Sequence, residues 1–330
     1  MTRVTRRQTI FGFGAMLAAP LVVGGCASSS PARALCRATG PKSIQFSTHK
    51  YASKGGQDLS FNLFVNAADG AIGPRPLIIF SFGGGWETGN RGDASAAEMF
   101  DEFLRAGFAV AAIDYRLGIK LAKRSGEMNQ HNGTRMYLRA IQWGVEDLFD
   151  ATRYLVEHAS VLNVDPSVFV TLGGSSGATN SLVAEWNVAN ATPLATAHLP
   201  AGFRYAGVIS MAGAFWLEAG TPLRFATRPA PIMFFHGAQD WLVTYDENQK
   251  GFAGYGPAYY FRAFSGPDFP KWFFDYPDGD HVIAGLPLTN RTLEIRAFLD
   301  RMVINREPLS MHTIEVSKVP SSFKGIMKGA

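Results

Sequence analysis

The sequence predicts an α/β domain built on a mostly parallel, doubly wound sheet, with antiparallel strands at its N-terminal edge and long loops over one end. Two observations carry this. Short, continuous apolar runs, suited to strands buried on both faces, recur along the chain, and amphipathic segments of helical length separate them. Strand and helix in alternation make such a sheet, because each right-handed crossover lays a helix against it. At 330 residues, 47% hydrophobic and 18% charged, the chain is long enough for one large domain.

Ser43 to Thr48 and Leu59 to Val65 alternate apolar and polar residues, as antiparallel edge strands do. The buried runs follow at Leu77 to Phe80, Phe108 to Ile113, Val168 to Leu172, Ile232 to Phe235 and Trp272 to Phe274. Helical spacing marks Ala94 to Arg105, Tyr137 to His158, Ala178 to Asn187 and Asn290 to Met302. No repeat or low-complexity linker interrupts the body of the chain, so residues 43–304 are read as one domain and residues 305–330 as a basic tail. Arg116 to Arg135, Ala189 to Phe203 and Trp241 to Tyr259 exceed ordinary loop length, and all three are expected near the site as lids or binding elements.

The N-terminus is a separate element. Arg3, Arg6 and Arg7 precede an apolar run from Ile10 to Val23, too short for a bilayer span of about 20 residues and in the order of an export signal. Val23-Gly24-Gly25-Cys26 resembles a bacterial lipoprotein cleavage box, which makes residues 1–25 the signal peptide, Cys26 the lipidated first residue and residues 26–42 a tether. Cleavage after Ala32-Arg33-Ala34, without lipid, is the alternative. Arg6-Arg7 lie in a stretch resembling a twin-arginine motif. The expected location is the periplasm or, as an anchored lipoprotein, the membrane of a bacterial envelope.

Processing also changes the charge. Residues 1–25 hold three arginines and no acid, so their removal takes Lys+Arg from 31 to 28 against 27 Asp+Glu. A nearly neutral mature chain offers no basis for nucleic-acid binding. Lipidation of Cys26 would leave Cys36 unpaired. With no CxxC or HExxH and seven scattered histidines, no metal site is expected, and Asp275, Asp278 and Asp280 read as a solvated turn.

Chemistry concentrates at Gly173-Gly174-Ser175-Ser176-Gly177. In a chain with 35 glycines such a match alone is weak, but this one has a strand before it and a helix after it. A nucleophile in that sharp turn needs very small residues two before and two after. Gly173 and Gly177 satisfy this for Ser175, whereas Ser176 would have Gly174 and the tighter Ala178. Asp240 follows the run Ile232 to Phe235 and His281 follows Trp272 to Phe274, so acid and base come after the nucleophile in order, each beyond a strand. Asp246 is the other acid nearby, and His236 is expected to fix the loop carrying Asp240. Gly83-Gly84-Gly85-Trp86, after an early strand, can present backbone N–H groups to a developing negative charge.

On these motifs and their order, the chain resembles the α/β-hydrolases of the esterase/lipase group from about Pro76 to Met302. The resemblance implies an oxyanion hole formed by Gly84, Gly85 and the N–H of Ser176. That family usually has His-Gly-Gly-Gly-Trp, and Phe82 stands in place of the histidine, which leaves the loop's hydrogen-bonded support open. Asp114-Tyr115-Arg116-Leu117 is similar to the family's stretch after its next strand, where residues are structural or shape the pocket.

The expected activity is cofactor-free hydrolysis of carboxylic esters, small or polymer-attached, through an acyl-enzyme on Ser175. A peptidase or polyester depolymerase with the same residues, or an inactive hydrolase-fold binding lipoprotein, is the alternative. Trp86 is a candidate for bounding the substrate pocket, as is the aromatic segment with Phe252, Tyr255, Tyr259, Tyr260, Phe261 and Phe264, for which core or lid packing is an equal reading.

Overall fold

Alternating β1 (Ile44–Lys54) and β2 (Gln57–Asn66) form the antiparallel hairpin that opens the computed structural model, which describes residues 43–69, 73–92 and 98–316. The expected signal peptide, Cys26 and tether lie outside the described residues. No helix among the described residues is long and apolar enough to cross a membrane.

The buried runs become parallel strands. After β3 (Arg75–Ser81) come α1 (Asp101–Arg105), β4 (Ala109–Ile113), α2 (Gly118–Arg124), α3 (Gly133–Glu157) and α4 (Ala159–Leu162). The central crossover is β5 (Val164–Gly174) and α5 (Ser176–Ala189), followed by α6 (Pro193–His198), β6 (Gly207–Met211) and β7 (Phe215–Leu217). Then come β8 (Ile232–Gly237), β9 (Glu247–Asn248), β10 (Ala253–Tyr255), α7 (Pro257–Ala263) and β11 (Lys271–Tyr276). The chain continues through α8 (Pro287–Asn290), α9 (Thr292–Phe298), a π-helical stretch (Leu299–Ile304) and β12 (Ser310–Ile314).

The main sheet runs β1-β2-β4-β3-β5-β6-β8-β11-β12, parallel from β4 onward. Two strands in it depart from expectation. All of β6 is buried, yet Gly207 and Ser210 interrupt its apolar run and hide it from a hydropathy pattern. β12 pairs with β11, so the sheet extends past residue 304 into the stretch read as tail. As an edge strand, β12 buries little and carries only a weak apolar signal.

Helix α3 shows how packing builds toward the site. Met136, Ala140, Ile141, Val145, Leu148 and Leu155 recur at helical spacing and are buried. Gly144 is small because Asn180 of α5 packs there: a Cβ would meet its amide at 2.6 Å. On the same helix, Asp147 and Asp150 are buried but paired. Lys54 Nζ lies 2.5 Å from Glu146 Oε1 and from Asp150 Oδ2, and Arg116 Nη2 lies 2.8 Å from Asp147 Oδ1. Glu146, Asp150 and His198 converge closely enough to hold a cation, and the cation at that point is the Lys54 ammonium. The cluster ties the N-terminal hairpin to α3.

Candidate active site

Ser175 sits where β5 turns into α5, with φ 53° and ψ −120°, a conformation that L side chains adopt rarely. Neighbouring backbone enforces the small flanking residues. A Cβ on Gly173 would lie 2.3 Å from the carbonyl carbon of Gly177, and one on Gly177 would lie 2.0 Å from Ser81 O. The Ser175 N–H donates to Met211 O at 2.8 Å, so the unforeseen strand β6 helps hold the turn.

His281 follows β11 in a short 3₁₀ turn capped by Asp280 Oδ1, which accepts the Val282 N–H at 3.0 Å. Its Nε2 lies 2.8 Å from Ser175 Oγ and its Nδ1 lies 2.8 Å from Asp240 Oδ2. Asp240, in the loop after β8, has a fully buried side chain whose Oδ1 accepts the N–H groups of Leu242 and Val243 at 2.9 and 3.0 Å. Burial opposes its charge, but hydrogen bonds from His236 and His281 outweigh that and hold its carboxyl well below the usual range. Asp246, the other acid considered, is instead paired with Arg262 at 2.6 Å.

Ser176 is buried and turned away from the imidazole. Its Oγ accepts the Gly85 N–H at 3.1 Å and lies 3.2 Å from Tyr115 Oη, which donates to Phe82 O at 2.8 Å. Phe82 stacks on Tyr115, with ring centroids 4.4 Å apart. Tyr115 thus ties Phe82 O of the glycine loop to Ser176. The Gly85 N–H, expected to face an oxyanion, is engaged by Ser176 Oγ, because the loop curls back onto the start of α5. Gly84 lines the cleft and takes φ +121°.

A cleft of about 1420 Å³ lies above these groups. One wall is aromatic: Trp86 contacts Tyr137 and Trp216 with centroids 6.1 Å away, and Trp216 contacts Phe252 at 4.8 Å. Trp86 has φ 57°, and this strained backbone is held by the Trp86 Nε1–H donating to Asn180 Oδ1 at 2.9 Å. Trp241 to Asn248 also border the cleft, with Trp241 54% exposed.

Of the three long connections, Trp241 to Tyr259 borders the cleft extensively, while Arg116 to Arg135 contributes only Gly133 and Thr134. Ala189 to Phe203 does not border it: α6 lies there instead, and His198 Nδ1 lies 2.7 Å from Asp150 Oδ1. In the aromatic segment only Phe252 faces the cleft; Tyr260 is fully buried in the core, and Tyr255 donates to Thr221 O at 3.0 Å. Trp216 and Tyr137 were not singled out in the sequence, and nothing local distinguishes them from core aromatics.

A family model described as BD-FAE matches residues 63–140, and no curated protein matches the chain. Among solved structures, the apo form of Thermogutta terrifontis esterase 2 is similar, with 20% identity, a TM-score of 0.56 and coverage of 78% of this chain and 95% of that one. The same esterase phosphorylated by paraoxon gives 20% identity and a TM-score of 0.55, with the same coverage. Its propionate-bound form gives 19% and 0.55, again over 78% and 95%. At such identity the likeness carries the fold, and the chain has the α/β-hydrolase fold.

Proposed function

We propose that this protein is a serine hydrolase that cleaves carboxylic esters through an acyl-enzyme. The observation that carries the reading is the line Ser175 Oγ, His281, Asp240, two contacts of 2.8 Å on the floor of an open cleft. Asp240 holds the proton on His281 Nδ1, which leaves the Nε2 lone pair facing Ser175 Oγ.

In this reading His281 takes the Ser175 proton as Oγ adds to the ester carbonyl, then returns it to the departing alcohol. Water, activated by the same imidazole, adds to the acyl-enzyme and releases the acid. Atoms and charge balance with water alone, so no cofactor is called for. Because the Gly85 N–H already donates to Ser176 Oγ, the reading assigns the oxyanion to the N–H groups of Gly84 and Ser176, with Gly85 holding the loop. The aromatic wall with Trp86 bounds the acyl or alcohol part.

The similar esterase phosphorylated by paraoxon supports an organophosphate test. Wild type should hydrolyse a short p-nitrophenyl ester and be labelled by a fluorophosphonate, and Ser175→Ala should lose both. Unchanged turnover and labelling in Ser175→Ala would sink the reading, while faster cleavage of a p-nitroanilide than of the ester would move it to a peptidase. Export and lipid attachment at Cys26 belong to the same proposal. A Cys26→Ala chain that still fractionates with membranes would remove that part.

A further inference from the structure

Asp240 touches two histidines, and only one of them faces Ser175. Its Oδ2 lies 2.8 Å from His281 Nδ1 and 3.3 Å from His236 Nε2. His236 lies near the end of β8, four residues before the acid, and is 1% exposed. Strand and loop therefore hold its ring against the carboxylate, and the mechanism above makes no use of it.

The partners decide the tautomer. His236 Nε2 faces two acceptors, Asp240 Oδ2 and Val243 O, the latter also at 3.3 Å, so Nε2 carries the proton. Nδ1 is buried with no hydrogen-bond partner among the described residues. His236 thus donates through Nε2.

The other charged or titratable groups around it are accounted for. Tyr245 packs edge-on against the ring, with centroids 5.8 Å apart. Asp275 is the cross-strand partner of His236 on β11, but its Oδ1 accepts the Tyr245 hydroxyl at 2.8 Å and its Oδ2 faces His312 Nε2 at 3.2 Å. His281 lies beyond Asp240 and shares its Oδ2. The carboxylate of Asp240 is the acidic group that His236 Nε2 meets directly.

We propose that His236 is a positioning residue of the relay: an Nε2–H donor that shares Oδ2 of Asp240 with His281 and limits how strongly the carboxylate favours a cationic imidazole. This rests on the reading of Ser175, His281 and Asp240 as the reacting set. Without the His236 N–H, more negative charge would face His281, its cation would form more readily, and the acid limb of the kcat/KM profile would move to higher pH. A residue that merely packed the strand end would change activity by the same factor at every pH.

His236→Leu removes the donor, and His236→Gln replaces it with an amide N–H. The acid limb of His236→Leu should rise by about half a pH unit to one unit, while that of His236→Gln returns toward the native position. An unmoved limb in a folded His236→Leu protein overturns the proposal. Nitrogen-15 NMR of the intact wild type asks the same question without any variant: His236 should show a protonated Nε2 and a bare Nδ1. The opposite tautomer also overturns it. Failure of the underlying reading shows separately, as activity that survives Ser175→Ala.

Discussion

Tyr115 Oη lies 3.2 Å from Ser176 Oγ, so the serine beside Ser175 is tied to the glycine loop. The directions are consistent: the Gly85 N–H donates to Ser176 Oγ, the Ser176 hydroxyl donates to Tyr115 Oη, and Tyr115 donates to Phe82 O. Burial pushes the Tyr115 phenol far above its ordinary range, which keeps it a donor. Tyr115→Phe keeps the ring that stacks on Phe82 and cuts the chain. Ester turnover should fall about 10-fold in kcat with KM nearly unchanged, less than the 100-fold or more expected when an oxyanion donor itself is lost. Steady-state kinetics checks this, and a native kcat would show that the loop stands without Tyr115.

Gly84 is required by both backbone and space. At φ +121° a side chain is strained, and a Cβ would lie 2.3 Å from Thr88 O, a backbone atom that cannot swing aside. Gly84→Ala should therefore open the loop and cost on the order of 100-fold in kcat/KM, while the sheet and its melting transition stay close to native. Fluorophosphonate labelling should slow in parallel. Wild-type kinetics in this variant would remove Gly84 from the site.

Glu185, ten residues along the chain from Ser175, is 1% exposed, and burial pushes its carboxyl up to about 8 despite the Ala230 N–H on Oε1 and the charge of Arg204. The folded state then holds a proton that the unfolded state releases near 4.5. Stability from this group is complete below about pH 4.5, declines as pH rises toward 8, and is lost above that. Glu185→Gln keeps the acceptor oxygen and cannot ionise. It should be more stable than wild type at pH 9 by on the order of 3 kcal/mol and equal to it at pH 4.5. Urea melts at the two pH values decide; an equal difference at both would refute the assignment.

Much of this was written locally. Gly173 and Gly177 around Ser175 announced a crowded turn because the clash that forbids a Cβ there arises between near neighbours and one adjoining strand. Asp240 and His281 were legible as candidates because each follows a buried apolar run at the end of a parallel strand, and hydropathy marks such runs. β6 and β12 were not legible. A glycine and a serine break the first, and the second lies on an edge where burial imposes little pattern.

By itself the sequence determined the fold class, the order of Ser175, Asp240 and His281 along the chain, and the glycine loop, since these depend on periodicity and on steric needs within a few residues. Tertiary structure decided what distance along the chain conceals. It joined Tyr115 to Ser176 across 61 positions, turned the Gly85 N–H away from its expected task, and set Trp216 and Tyr137 into a wall with Trp86. It also placed His236 on the carboxylate of Asp240. The hydrogen bonds among these are short-ranged and directional, so the partners exist only once the sheet has brought their elements together.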